Sequence, residues 1–189
     1  MTPRLLHLLR HGEPERTGRF LGRTDDAATP AGIASCLDQM EGLEIDAIVT
    51  SDLVRARACA EAMASDSGPT VTIDPRWREM DFGDWDGLTA AEIDSAALTR
   101  FWDDPDTHAP PGGEPWSALV ARVGEAVAAL PAGPTLVVTH GGAMRAALAA
   151  LCSFDQRQLW AFDLPYAALL SLRIWPGTPV SAQIVALRP

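Results

Sequence analysis

Short runs of apolar residues recur along the chain, and most of them are followed by a polar segment and then by a helical pattern. Continuous apolar runs of this length are typical of strands that are buried on both faces of a sheet. They predict strands at residues 5–9, 46–50, 71–73 and 135–139. Two later runs, at 167–175 and 180–187, are separated by Pro176-Gly177-Thr178-Pro179 and predict an antiparallel pair joined by a tight turn.

Helices are marked by capping residues and by apolar periodicity. Thr29-Pro30 has the N-cap and first-position proline of a helix start, and Thr89 and Glu92 have capping-box spacing. The pattern predicts helices over about 30–41, 52–64 and 116–130, and others that begin at about 89 and 143. Loops are predicted at 10–28, 75–88 and 103–115. This alternation predicts an α/β fold, a three-layer α/β/α sandwich around a mainly parallel mixed sheet, in a single domain over residues 1–189.

Charge limits the partners that this chain can bind. All 15 basic residues are arginine, and 25 Asp and Glu give a net charge of −10. That field repels nucleic acid and anionic lipid, so neither is expected as a partner. No apolar run approaches the roughly 18–20 residues that cross a bilayer, and residues 1–10 lack the apolar core of a secretory signal. We therefore expect a cytoplasmic protein with no membrane partner.

Rare reactive residues concentrate where predicted strands end. The first strand runs into Arg10-His11-Gly12-Glu13, the second leads to Arg55, and the strand at 135–139 runs into His140-Gly141-Gly142. Parallel strands bring their carboxyl ends to one edge of a sheet, so the two histidines should meet there. Each residue alone has a simpler explanation, because a histidine can cap a carbonyl and Arg55 can be a solvated charge. Together they favour a functional site, since an arginine beside a histidine is costly to bury.

Other polar residues have simpler structural interpretations. His7 shares a strand face with His11 and is predicted to be a core or supporting residue. Glu79 lies in an acidic loop of a kind that is common on protein surfaces. The cysteines lack paired spacing and are expected in the core: Cys36, Cys59 and Cys152.

Four motifs resemble, in order, those of the histidine phosphatase superfamily, which has the phosphoglycerate-mutase-like fold. They are Leu8-Leu9-Arg10-His11-Gly12-Glu13, Ser51-Asp52-Leu53-Val54-Arg55-Ala56, the glutamate-containing segment Arg78 to Gly87, and Val137-Val138-Thr139-His140-Gly141-Gly142. Segments such as Gly18-Arg19-Phe20-Leu21-Gly22 and Pro111-Gly112-Gly113-Glu114 are most similar to alpha-ribazole phosphatases. The resemblance implies a metal-independent phosphomonoesterase without a cofactor.

The resemblance also implies roles for individual residues. His11 would be the nucleophile that forms a transient phosphohistidine, and Arg10 and Arg55 would clamp the phosphoryl oxygens. His140 would donate to the same group, and Glu79 would protonate the leaving oxygen and then activate water. No metal ligand is implied. The implied catalytic residues are therefore His11, Glu79, His140, Arg10 and Arg55.

Substrate contacts follow from the same resemblance. They are expected at Arg10, Thr17, Phe20, Gly22, Arg55, Glu79 and Gly141. Two departures from the family pattern bear on specificity: Pro14 replaces the usual threonine, and Thr17 stands where an asparagine is common. The expected partner is a small phosphorylated metabolite, of which alpha-ribazole 5′-phosphate is one candidate.

Several alternatives remain open at the level of sequence. Residues 88–136 contain only Arg100 and Arg122 as Arg or Lys, against seven Asp and Glu, which favours a phosphatase over a mutase that holds a bisphosphorylated intermediate. A broad-specificity sugar-phosphate phosphatase and a phosphoglycerate mutase are the enzymatic alternatives. The others are an inactive binding module and a metal-dependent hydrolase that uses His7, His11, His140 and acidic loop residues. Trp160 and Trp175 could lie in the core or on the face of a homodimer.

Overall fold

One mixed β-sheet organises the protein, as seen in a computed structural model that describes residues 3–64, 68–177 and 180–189. Within those residues the sheet has six strands in the spatial order β3-β2-β4-β1-β5-β6. Their bounds are β1 Arg4–Arg10, β2 Ala47–Thr50, β3 Val71–Ile73, β4 Thr135–Thr139, β5 Leu169–Trp175 and β6 Ser181–Arg188. The predicted strands are confirmed, with ends that shift by one or two residues.

The central strands are parallel and finish together. β1 pairs with β4 so that Arg10 lies opposite Thr139, and β2 pairs with β4 so that Thr50 lies opposite Val138. β3 is parallel to β2, whereas β5 and β6 are antiparallel to their neighbours. The mainly parallel mixed sheet and the late antiparallel pair are therefore confirmed. Thr178 and Pro179 of the turn that was predicted between the last two strands lie outside the described residues.

Helices cover both faces of the sheet and give the predicted three layers. Leu9 and Val138 point into a core that contains Cys36 and Cys59, whereas Leu8 points to the opposite face. The helices are α1 Pro30–Asp38, α2 Val54–Met63, α3 Ser95–Asp103, α4 Trp116–Ala128, α5 Gly141–Cys152 and α6 Gln156–Leu159. Residues of α1 and α2 line the first core, and residues of α4 and α5 line the second. The alternation of side chains along each strand is what separates the two cores.

Two predicted helix boundaries, the end of α1 and the helix start expected at Thr89, differ most from the structure. α1 ends at Asp38, and the chain continues as tight turns to Gly42, which has a φ of +73°. The capping box of Thr89 and Glu92 forms, but it opens a single 3-10 turn. α3 begins only at Ser95, because the Asp94 side chain accepts the N–H of Ala97 and starts a new helix.

α5 begins two residues earlier than expected, and the short α6 was not predicted. His140 is the N-cap of α5, in an extended conformation, and its carbonyl accepts the N–H of Met144. Gly141 and Gly142 therefore belong to the first helical turn. In the part of the chain that the structure describes, no helix is long and apolar enough to cross a membrane.

Candidate active site

The three strand ends meet at the carboxyl edge of the sheet, as predicted. The His11 N–H donates to the Thr139 carbonyl at 2.8 Å, and the Ser51 N–H donates to the Val138 carbonyl at 3.2 Å. These bonds extend the parallel pairing by one residue beyond β1 and β2. They fix the positions of the residues that follow the strands, including His11. The rings of His11 and His140 consequently lie with their centroids 5.0 Å apart, inclined by 61°.

His11 is buried and has one ring nitrogen already engaged. Its Nδ1 lies 2.7 Å from the carbonyl oxygen of Gly12. A carbonyl can only accept, so in the neutral ring Nδ1 carries the proton and Nε2 keeps its lone pair. Burial, followed by the charge of Arg55, holds the pKa of His11 well below its ordinary value of 6.5. The hydrogen bond to Gly12 opposes this shift, and the charge of Arg10 adds to it.

His140 is fully buried and has no protein partner for its ring. Among the described residues, neither Nδ1 nor Nε2 of this side chain forms a hydrogen bond. Burial is the first cause that lowers the pKa of His140 well below 6.5, and the charge of Arg55 is the second. A buried polar ring without a protein partner is unusual in a native protein, and both nitrogens of His140 are available to hydrogen-bond with a ligand or with water.

Arg55 is held entirely by backbone. Its Nη2 donates to the Leu21 carbonyl at 2.6 Å and more weakly to that of Gly22, and its Nη1 donates to the Thr24 carbonyl at 2.8 Å. The Arg55 side chain is fully buried, and desolvation is the main cause that lowers its pKa. Its Nε has no partner among the described residues. The predicted loop at 10–28 therefore folds back to orient this guanidinium.

Arg10 is fixed by a segment that the motifs did not include. Its Nη1 donates to the Leu164 carbonyl at 2.7 Å, and its guanidinium carbon lies 4.1 Å from the ring centroid of Tyr166. Tyr166 also flanks His11, with ring centroids 5.6 Å apart. Arg10 Nε is buried without a partner in the described chain. Tyr166 was not identified as a site residue from the sequence. The available indication was that it is the only tyrosine in the sequence and lies just before a predicted strand.

Glu79 lies against the first turn of α5. Its carboxylate accepts the Met80 N–H at 2.8 Å and the Gly142 N–H at 2.9 Å. A Cβ at Gly142 would collide with this carboxylate, so the glycine permits the approach. A helix N-terminus also favours a negative group at this point. The helix was predicted to begin just after Gly142, whereas Gly142 lies in its first turn and allows Glu79 to bind there.

Arg122 of α4 holds the segment that carries Glu79. Its guanidinium donates to the carbonyls of Arg76, Arg78 and Glu79, each at 2.8 Å. It also forms a bidentate pair with Glu114, at 2.6 and 3.1 Å. The sequence identified Arg122 only as a cation. Its five acceptors, three carbonyl oxygens and two carboxylate oxygens, lie far from it along the chain, so no local sequence pattern predicts these contacts.

A cavity of about 340 Å³ opens beside Arg10 and Glu79. Trp102 of α3 and Trp160 at the end of α6 are exposed by 43% and 51%, and their ring centroids lie 5.2 Å apart. We call this space the aromatic cavity. Its lining is Arg10, Glu79, Met80, Phe82, Phe101, Trp102, Pro105, Trp116, Gly141, Gly142, Arg145, Gln156, Leu159, Trp160, Asp163, Leu164 and Pro165. Trp160, which the sequence assigned to the core or a dimer face, lines this cavity.

The predicted substrate contacts occupy different places. Gly141 lines the aromatic cavity. Phe20 packs against Phe82, with ring centroids 5.0 Å apart, and Gly22 lies too close to the Met80 carbonyl to carry a Cβ. Neither lines the aromatic cavity, and their contact with substrate stays a prediction. Thr17 is exposed on the loop after β1, and its contact with substrate stays a prediction.

The other polar residues lie in the core or away from the histidines. His7 is buried, with Nδ1 2.8 Å from the Ser171 hydroxyl, which confirms its placement as a core residue. Cys36 and Cys59 are buried, and Cys152 is partly buried; all three are free thiols. In residues 3–64, 68–177 and 180–189, no group of three His, Cys, Asp or Glu side chains has the arrangement of a metal site.

Known proteins of similar sequence and structure are phosphatases and mutases. A glucosyl-3-phosphoglycerate phosphatase of Mycobacterium tuberculosis is 35% identical over 170 residues, covering 80% of this chain and 76% of the relative. An adenosylcobalamin/alpha-ribazole phosphatase of Escherichia coli is 27% identical and covers 97% of this chain and 93% of its own. A 2,3-bisphosphoglycerate-dependent phosphoglycerate mutase of Rhodopseudomonas palustris is 28% identical, with 97% and 98% covered.

The fold is shared as well. A solved structure of mycobacterial glucosyl-3-phosphoglycerate phosphatase superposes with a TM-score of 0.85 at 29% identity, over 97% of this chain and 98% of that one. The family model described as histidine phosphatase superfamily (branch 1) matches residues 6–186. That range holds the two histidines, the arginines around them and Glu79. The chain therefore belongs to the histidine phosphatase superfamily, branch 1, and is a phosphoric monoester hydrolase with the phosphoglycerate-mutase-like fold.

Proposed function

We propose that the protein hydrolyses a small phosphorylated metabolite through a phosphohistidine on His11. The observation that supports this most is a set of buried nitrogens without partners: both ring nitrogens of His140 and the Nε atoms of Arg10 and Arg55. We call His11, His140, Arg10 and Arg55 the arginine–histidine cluster. Leaving a buried donor unpaired costs about 1–3 kcal/mol, and a tetrahedral anion would pair several at once.

In the first half-reaction, Nε2 of His11 attacks phosphorus in line with the leaving oxygen. The nitrogen–phosphorus bond forms as the phosphorus–oxygen bond breaks, and the alcohol takes a proton from Glu79. Arg10, Arg55 and His140 donate to the three non-bridging oxygens, where negative charge is spread in the transition state. The low pKa of His11 supports this role, because the ring is neutral and nucleophilic near neutral pH.

In the second half-reaction, water replaces the alcohol. Glu79, now ionised, removes a proton from the water as its oxygen attacks phosphorus. The nitrogen–phosphorus bond breaks, inorganic phosphate forms, and His11 returns to its neutral state. The carboxylate of Glu79 supports this exchange because each of its oxygens accepts one backbone N–H and keeps a second lone pair for a proton.

The charges of residues 88–136 support hydrolysis over phosphoryl transfer to a second phosphate. A mutase must hold a bisphosphorylated intermediate, which needs cations beyond those of the cluster. Arg122 is committed to Glu114 and to three backbone carbonyls, and Arg100 is exposed on α3. Arg122 is therefore not free to bind a second phosphoryl group, and Arg100 does not line the aromatic cavity.

Two substrates are supported by different features of the aromatic cavity. Its tryptophan and phenylalanine rings favour alpha-ribazole 5′-phosphate, whose base is a flat aromatic system. Arg145 in the same lining favours a substrate with a second negative group, such as glucosyl-3-phosphoglycerate. Initial rates of phosphate release from both compounds, measured side by side with sugar phosphates, separate these candidates.

Substitution of His11 tests the mechanism itself. We expect wild-type protein to release phosphate from p-nitrophenyl phosphate in the presence of a chelator, and His11→Ala to lose turnover to the detection limit. In this proposal no other side chain in the cluster carries the phosphoryl group, since Arg10 and Arg55 are cations and His140 donates to a non-bridging oxygen. Acid-labile, base-stable labelling of wild type and not of the variant would identify the phosphohistidine. Wild-type turnover by His11→Ala would refute the proposal.

A further inference from the structure

Asp86 binds the loop that holds Arg55. Its carboxylate accepts the backbone N–H groups of three consecutive residues, Gly22, Arg23 and Thr24. The bonds from Gly22 and Thr24 are 3.2 and 3.0 Å long. Consecutive N–H groups that converge on one anion fix the orientation of the peptide groups that carry them. The carboxylate of Asp86 therefore determines where the carbonyls of this loop point.

Two of these peptide groups connect Asp86 directly to Arg55. The N–H and the carbonyl of a planar trans peptide point in opposite directions. The peptide group between Leu21 and Gly22 gives its N–H to Asp86, and its carbonyl accepts from Nη2 of Arg55 at 2.6 Å. The group between Gly22 and Arg23 also gives its N–H to Asp86, and its carbonyl lies 3.2 Å from the same nitrogen. A carboxylate and a guanidinium thus lie at opposite ends of two aligned peptide dipoles, which polarise each other.

The charge of Arg55 is buried without a direct ion pair. In the part of the chain that the structure describes, no carboxylate forms a salt bridge with its guanidinium. Burial is the main cause that lowers the pKa of Arg55, and the charges of Glu79, Asp25, Asp86 and Asp26 oppose this shift. Of these four carboxylates, Asp86 is the one that accepts from the two peptide groups whose carbonyls hold Arg55.

We infer that Asp86 is a positioning residue for the reaction, which orients Arg55 towards the phosphoryl group through these two peptide groups. This inference rests on the proposed function, because it takes Arg55 as a donor to the phosphoryl oxygens. A carboxylate in direct contact would occupy guanidinium N–H groups that the phosphoryl group needs. The connection through peptide groups stabilises the buried charge and leaves Nε of Arg55 available. Removing the charge of Asp86 should therefore weaken catalysis only while Arg55 is present.

A double-mutant cycle between Asp86 and Arg55 tests this role. The substrate is p-nitrophenyl phosphate, and the measured quantity is kcat/KM. Asp86→Asn keeps the shape of the side chain and removes its charge, so it should lower kcat/KM by about 5- to 50-fold, given the strength of hydrogen bonds to charged groups. In the Arg55→Met background the same substitution should lower kcat/KM by less than about twofold, because the guanidinium on which it acts is gone.

The matched control is Asp84→Asn, which removes an exposed carboxylate from the same segment, two residues before Asp86. It should leave kcat/KM within about twofold in both backgrounds, as is usual for an exposed residue. Urea unfolding of each variant adds a second measurement. If Asp86→Asn does not fold while Arg55 is present, it should fold once Arg55 is replaced by Met, since no buried charge then depends on the carboxylate.

The outcomes separate a positioning role from a purely structural one. Equal losses of kcat/KM in the two backgrounds, or failure of Asp86→Asn to fold in both, would show that Asp86 serves the loop itself and would overturn the inference. Failure of the proposed function looks different. In that case p-nitrophenyl phosphate would give no turnover that depends on His11, and Arg55→Met alone would cause no loss.

Discussion

The arginine–histidine cluster and the aromatic cavity adjoin each other but are built by opposite means. His11 and His140 follow strands of the central sheet, and Arg55 is gripped by three carbonyls of the first loop. Trp102 and Trp160 come from the end of one helix and just after another, and each exposes about half of its surface. The cluster is polar and fixed by hydrogen bonds, whereas the cavity is open, and most of its lining consists of apolar and aromatic side chains that pack on one another.

This difference separates chemistry from recognition. Stabilising a transferring phosphoryl group requires donors that are already oriented before the reaction, which strand ends and backbone carbonyls provide. Recognising the alcohol half requires surface that can vary without disturbing those donors, which the exposed aromatic side chains at the ends of α3 and α6 provide. Changes in the cluster should therefore act alike on all substrates, and changes in the cavity should act on some substrates only.

The largest expected effect comes from Arg55. Arg55→Met should lower kcat by about 10²- to 10³-fold for every phosphomonoester, as for the loss of other preorganised donors. Arg4→Met is the matched control, because Arg4 also donates to three backbone carbonyls, those of Val127, Leu130 and Pro131, at the opposite edge of the sheet. Urea unfolding of both variants separates loss of stability from loss of catalysis. A folded Arg55→Met enzyme with less than a tenfold defect would contradict the role of the cluster.

A second prediction uses the two buried imidazoles, which the cavity lacks. The folded pKa values of His11 and His140 lie below 6.5, so as pH falls below 6.5 the unfolded chain binds protons that the folded chain does not. The free energy of unfolding should then decrease by up to about 1.4 kcal/mol per pH unit for each histidine. Above pH 6.5 both states are neutral at these rings, and their contribution to the slope disappears.

The variant His140→Gln removes the contribution of one histidine to this pH dependence. Its free energy of unfolding, measured in urea between pH 7 and 5, should fall less steeply than that of wild type by up to about 1.4 kcal/mol per pH unit. His108→Gln removes an exposed imidazole from the loop after α3 and controls for the loss of one histidine. Identical slopes for wild type and His140→Gln would mean that the cluster does not hold its imidazoles neutral.

The two regions also differ in how far the sequence predicts them. His11 and His140 were expected to meet because each follows an apolar run, and strand ends converge in any parallel sheet. The position of Arg145 could not be predicted in this way. It contacts the Phe162 carbonyl and the Trp160 ring, and no sequence pattern predicted the helix that precedes these residues. α6 is only four residues long, too short for apolar periodicity to be recognisable.

The capping residues in the sequence predicted correctly where helical turns begin, but not how long each helix is. Thr29 caps α1 as predicted, and the capping box of Thr89 and Glu92 forms as predicted. That box nevertheless opens only one turn, because Asp94 offers a second cap two residues later. Gly142 was placed just before the predicted helix, whereas it lies in the first helical turn, where its lack of a side chain allows the approach of Glu79. What a glycine makes room for depends on a contact with a residue 63 positions away.

The smallest expected effect belongs to Trp102 and is the sharpest test of the separation. Trp102→Leu should raise KM for p-nitrophenyl phosphate by about two- to tenfold, the cost of one lost aromatic contact. The inhibition constant of inorganic phosphate, which fills only the cluster, should stay within about 1.5-fold of wild type on the same reasoning. Trp175→Leu, which changes a tryptophan of β5 outside the cavity, controls for general effects. Parallel weakening of phosphate and p-nitrophenyl phosphate by Trp102→Leu would show that the cavity and the cluster act as one unit.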